Sequence, residues 1–190
     1  MKKTTLKSLT ITALLAGALF SVSTITSCSK DNKSTTATMT LYDSLGGTTM
    51  VADPSNPGAM IEKGRLGIRS VVDSTIFVIA ADPAINAQFS VLLAEVTIGN
   101  LSGFSALSKS LTDFFCVATG AKNFTYTGKN MTDAHNPATN SRVTTKSSNA
   151  DFSAFVADLV AGANKNALPT YLIARVGAVV ETVRTQVVQR

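Results

Sequence analysis

Apolar residues recur at helical spacing in four stretches of the chain. Phe152, Phe155, Val156, Leu159 and Val160 fall at i, i+3, i+4, i+7 and i+8, one face of an α-helix. Ile173, Val176, Val180, Val183 and Val187 make a second stripe after Pro169-Thr170, where Thr170 is placed to cap the first turn. Leu107, Leu111, Phe114, Phe115 and Ala118 make a third, closed by Gly120 as a C-terminal cap. Ile68, Val71, Val72, Thr75, Ile76 and Ile79 make a fourth. Asp82-Pro83 then reads as an N-cap followed by proline at the first helical position, opening a short turn toward Phe89. The last stripe is rich in valine, which favours strands, but the alternation a half-buried strand needs is not sustained. The pattern predicts an all-α fold.

Between the stripes lie three loop-like stretches. Residues 48–67 contain Asp53-Pro54-Ser55-Asn56-Pro57-Gly58. Residues 90–105 are mixed, and their part from 91 to 98 is apolar enough for a helix of its own. Residues 136–149 (NPATNSRVTTKSSN) are polar and almost without large apolar groups.

The N-terminal end has a different character. Lys2, Lys3 and Lys7 precede a mostly apolar stretch at 9–20, too short for a comfortable membrane span and running into small and hydroxyl residues, as cleaved export signals do. Ile25-Thr26-Ser27-Cys28 resembles the lipobox of bacterial lipoproteins, in which the cysteine is acylated and becomes the new N-terminus. Two or three acyl chains anchor a protein stably where one does not. The expected organisation is a signal at 1–27, a Ser/Thr/Lys-rich flexible tether at 28–38, and one domain at 39–190. The implied location is the bacterial cell envelope, with the chain lipid-anchored at Cys28 and facing the periplasm or the surface. Three of the 17 basic residues leave with the signal and all 12 acidic ones stay, so the net charge falls from +5 to +2. That does not support nucleic-acid binding, which wants a concentrated basic face. With Cys28 acylated, Cys116 has no disulfide partner despite the exported location.

Leu41-Tyr42-Asp43-Ser44-Leu45-Gly46-Gly47 resembles the opening of the truncated haemoglobins of the first group, where a short helix ends at paired glycines. Ile68-Arg69-Ser70-Val71-Val72-Asp73, then Ala80-Ala81-Asp82-Pro83-Ala84-Ile85-Asn86 and Phe89, is similar to that family's B and C helices. Asp113-Phe114-Phe115-Cys116-Val117-Ala118-Thr119-Gly120 resembles the end of its E helix. The most specific piece is Tyr126-Thr127-Gly128-Lys129-Asn130-Met131-Thr132-Asp133-Ala134-His135, similar to the tyrosine-glycine loop that runs into the F helix and its proximal histidine. The segments at 152–160 and 171–188 stand where the G and H helices belong. The matches come in order and cover about half of residues 39–190.

The resemblance implies a two-over-two helical sandwich with long loop insertions, holding haem (iron protoporphyrin IX) with His135 as the proximal iron ligand. It puts Ile76 over the distal face, Phe89 on the haem, Leu107 and Leu111 one turn apart on the E helix, and Phe115, Tyr126, Met131 and Phe152 around the cavity. His135 is the single histidine of the chain, and globin iron needs one neutral imidazole on the proximal side. Many members carry tyrosine and glutamine where Ile76 and Leu111 stand here, so the usual hydrogen bonds to bound O₂ are missing. The implied function is reversible binding of a diatomic gas: O₂ is the family ligand, NO suits an apolar distal pocket equally well, and CO is a ready probe. Turnover as an NO dioxygenase would need a reductase partner, and no distal acid–base group marks the chain as an enzyme. A haem-free globin-like envelope lipoprotein serving as a protein-interaction module is the alternative.

Overall fold

In the computed structural model, which describes residues 38–190, the fourth stripe becomes the longest helix, α2 (Lys63–Ala81), burying Ile68, Val72, Thr75, Ile76 and Ile79 along one side. Before it stand α1 (Leu41–Ser44) and two short strands, β1 (Met50–Ala52) and β2 (Met60–Glu62). After it come a 3-10 turn at Asn86–Phe89, then α3 (Ser90–Thr97), α4 (Ser102–Ala118) and α5 (Met131–Ala134). The chain ends with α6 (Asn149–Lys165), α7 (Thr170–Glu181) and α8 (Arg184–Val187). α2 packs along α6 and against α4, α7 packs on α6 and α1, and α8 on α5. One core joins Tyr42 of α1, Val72 and Ile76 of α2, Phe115 of α4, Phe152 and Leu159 of α6, and Leu172 and Val180 of α7. Each such side chain contributes roughly 1.5–3 kcal/mol on burial. The architecture is all-α, helix on helix.

Several boundaries differ from the sequence expectation, each for a local reason. The stretch 48–67 holds an antiparallel hairpin, with Met50 opposite Glu62 and Ala52 opposite Met60, and the start of α2. Three-residue strands are too short for periodicity to register. Arg69 holds the hairpin turn to α2, its Nη2 lying 2.7 Å from Asp53 Oδ1. The stretch 90–105 carries α3 and the first turn of α4. Asp82-Pro83 ends a helix instead of starting one: Asp82 is the C-cap of α2, and its Oδ1 accepts from Ala84 N at 2.8 Å, an Asx turn. Pro169, not Thr170, is the N-cap of α7, and Thr170 is its first helical residue. The last stripe breaks between Glu181 and Arg184, where the Thr182 hydroxyl donates back to Val179 O at 2.7 Å.

At the end of α4 the cap residue is Thr119, and Gly120 follows it with φ +100. Ala121 N–H donates to Cys116 O at 2.9 Å and Gly120 N–H to Val117 O at 3.0 Å, which satisfies the last carbonyls. A Cβ at Gly120 would also stand 2.9 Å from Thr40 Cβ, so glycine is required by conformation and by space. Nearby, the Tyr42 hydroxyl donates to Glu62 Oε2 at 2.7 Å, and Arg65 meets Asp113 at 2.7 Å. Cys116 lies free beside them, and burial pushes its thiol up to about 11, which keeps it protonated and unreactive.

Candidate functional site

α5 is one turn long, a length at which an isolated helix is unstable in water. Here its ends are capped. The Asn130 side chain accepts from Asp133 N at 2.8 Å at the start. The carbonyls that a helix end leaves open are then taken in succession. Gln189 Nε2 donates to Thr132 O at 2.8 Å, Thr139 Oγ1 to Asp133 O at 2.8 Å, and Asn140 Nδ2 to Ala134 O at 2.7 Å. Met131 O accepts from His135, from its backbone N at 3.3 Å and from its ring Nδ1 at 2.9 Å. A carbonyl only accepts, so this contact places the ring proton on Nδ1 and leaves Nε2 with a free lone pair. Burial holds the His135 pKa below the ordinary histidine value, against the opposing pull of the Met131 carbonyl. The ring is therefore neutral at physiological pH.

His135 lines a cavity of about 320 Å³, within the roughly 300–1,000 Å³ range of small-molecule and cofactor sites. One face of α4 forms a wall: Gly103, Ala106, Leu107, Ser110, Leu111 and Phe114 recur at helical spacing and all line the cavity. Phe89 and Leu92, Phe152 and Phe155, and Val180, Val183 and Val187 bring in the other elements. Tyr126 lines it with its hydroxyl donating to Lys129 O at 2.7 Å and its ring edge-on to Phe114. The structure thus brings His135, Phe89, Leu107, Leu111, Phe115, Tyr126, Met131 and Phe152 around one space. Ile76 is not among the lining residues; it is packed into the core at 4% exposure. The buried side of α2, to which Ile76 belongs, packs against α6 and α4. Sequence reasoning missed Gln88, Asn140, Arg142 and Val143. Three of those stand in the polar stretch 136–149, where nothing in the pattern distinguishes an inward side chain from a solvated one.

Among the described residues there is no group of three or more His, Cys, Asp and Glu side chains able to hold a metal ion. A single neutral imidazole in an apolar cavity cannot assemble a coordination sphere by itself. It could supply one ligand to a metal that arrives already chelated. A second, apolar cavity of about 280 Å³ lies among α2, α6 and α7, and Phe115 lines both.

No family model matches the chain, and no curated protein matches it. Solved structures do: the truncated hemoglobin of Tetrahymena pyriformis in its Fe(III) form, and two single-substitution variants of it in the same form. Each is similar at TM-score 0.56 and 21% identity, over 80% of this chain and 99% of the other. The described residues therefore have the all-α truncated-globin fold.

Proposed function

We propose that residues 39–190 form a haem-binding globin of the first truncated group, with His135 as the protein ligand to iron and a diatomic gas, O₂ or NO, as the exchangeable one. The observation that carries this reading is the His135 ring: Nδ1 tied to the Met131 carbonyl, Nε2 free, and the side chain lining an apolar cavity. The residues present fit the group. A flat apolar macrocycle finds Leu107, Leu111, Phe114 and Phe152 in the walls, and its iron finds a neutral imidazole. When bound, haem supplies the iron at which the gas is held. The protein's part is to hold the group, keep the imidazole neutral and exclude water.

The cavity offers the gas few donors. Gln88 Nε2 is turned to Asp151 at 3.2 Å, the Tyr126 hydroxyl to Lys129 O, and the Asn140 amide to Ala134 O. Fast O₂ release fits that lining, and tight oxygen storage does not. The haem-free interaction module has no use for a His135 ring so held, and colour separates the two readings. Protein supplied with haemin should show a Soret band that shifts with dithionite and CO, and His135→Ala should lose most of the bound haem. An alanine variant with unchanged haem stoichiometry and ferrous spectrum would overturn the assignment. The proposal includes export and acylation at Cys28, which lies outside the described residues and rests on Ile25-Thr26-Ser27-Cys28.

A further inference from the structure

Arg142 is the only Lys or Arg among the residues lining the 320 Å³ cavity. It stands in the stretch between α5 and α6, and its Nη1 donates to Glu95 Oε2 of α3 at 2.6 Å. Both residues belong to stretches outside the segments that carry the family resemblance. The pair lies against Gly103 at the start of α4, where a Cβ would collide with Glu95 Oε2 and Arg142 Nη1 together. Three further cations beside the site have carboxylate partners: Lys109 of α4 pairs with Asp113 at 2.6 Å, Arg184 with Glu181 at 2.7 Å, and Arg190 with Asp151 at 3.1 Å. Asp151, the carboxylate in the lining, also accepts from Ser148 N at 2.7 Å. Arg142 is different. A guanidinium presents five donors in a planar fork, and its Nε and Nη2 have no protein acceptor among the described residues.

We propose that Arg142 binds a carboxylate of the group held in the cavity, and that Glu95 is a positioning residue which aims the fork. The proposal rests on the haem reading and deepens it. Haem is an apolar disc with two carboxylates on one edge. A carboxylate buried among Leu107, Phe114 and Phe152 would lose its hydration without compensation. At Arg142, which keeps 45% of its side-chain exposure, it gains a charge-assisted fork and retains water. The acidic edge therefore comes to rest beneath the 136–149 stretch, and the stretches 90–105 and 136–149 meet over it through Glu95 and Arg142. Neither stretch is idle length. Together they carry the only cationic contact the lining provides.

The test compares haemin with its dimethyl ester, which keeps the disc and iron and removes both negative charges. The readout is the rate of transfer of each to an excess of a haem-free acceptor globin, followed by the Soret band. Wild type should lose the ester roughly tenfold faster than haemin, the effect of one hydrogen-bonded charge pair. Arg142→Gln should bring that ratio to about one. Each protein is its own reference across the two ligands, so a general loosening of the stretch cancels. Glu95→Gln should raise haemin loss severalfold and leave ester loss unmoved. Equal rates for the two ligands in wild type, or a tenfold ratio that survives Arg142→Gln, would overturn the anchor. An unchanged haemin rate in Glu95→Gln would overturn the positioning role. If both ligands bind through His135 at equal rates, this proposal fails alone; if neither gives a His135-dependent Soret band, the haem reading fails with it.

Discussion

On α6, Asp158 is packed to 5% exposure, with Oδ2 meeting no donor in the protein. Burial, and after it the neighbouring carboxylate of Asp82, raises its pKa above the ordinary carboxylate value. A raised folded-state pKa contributes stability that is present below the unfolded pKa and is lost as pH rises through the folded one. The ionised form, with Oδ2 unpaired, is a cost to the fold. Asp158→Asn should therefore stabilise the fold at pH 7 by about 1 kcal/mol or more. It should also flatten the decline of stability between acid and neutral pH, as read in urea titrations at several pH values. In the cavity, Leu111→Gln places an amide on the α4 wall. On the proposed haem function, bound O₂ carries partial negative charge and gains from a donor, so its release should slow by about tenfold, with CO release changed less, in stopped-flow dissociation. Ile76→Tyr is the control: Ile76 is sealed in the core, so the extra bulk should cost about 1–3 kcal/mol of stability and leave gas release alone.

α5 shows how an element with little stability of its own is made rigid. Its four residues are held by side chains from three places: Asn130 before it, Thr139 and Asn140 after it, and Gln189 near the end of the chain. The polar stretch 136–149 reads from its composition as a solvated loop, yet it caps the helix that presents His135. Asn140→Ala should cost about 1 kcal/mol in chemical denaturation, one hydrogen bond lost at a helix end. Faster amide exchange around 134–136 should accompany it, because the Ala134 carbonyl loses its donor. A stability change without a local exchange change would place the role of Asn140 elsewhere.

For the molecule as a whole, the polar stretches between the helices are tied into the fold by side chains. The stretches 90–105 and 136–149 meet at Glu95 and Arg142, and Thr145 Oγ1 donates to Gln88 Oε1 at 3.0 Å, tying the later stretch to the turn after α2. Tyr42 N–H donates to Thr119 O at 2.8 Å, so the first described helix is fastened to the end of α4. On the proposed anchoring, Cys28→Ala should abolish acylation and move the protein from the membrane fraction to the soluble one, since an apolar stretch at 9–20 should not hold it alone. Labelling with a clickable palmitate analogue reads this directly; equal label in variant and wild type would refute it.

By itself the sequence determined the helices whose apolar stripes run for two turns or more, because burying a stripe leaves a periodic trace in residue order. α2, α4, α6 and α7 are legible in that way, and so was the pairing of Met131 with His135 one turn apart. Gly120 was legible too, since a left-handed cap favours one residue type. Tertiary structure decided what has no period. Three-residue strands, the break at Thr182 and the reading of Asp82 as a stop each rest on hydrogen bonds whose partners residue order does not reveal. It also decided which apolar side chains meet the cavity. Ile76 and Leu111 look alike along the chain, but α2 turns Ile76 into the core while α4 turns Leu111 to the cavity. Arg142 was the least legible of all. Its place depends on Glu95, 47 residues earlier, and on a glycine in α4 that leaves room for both.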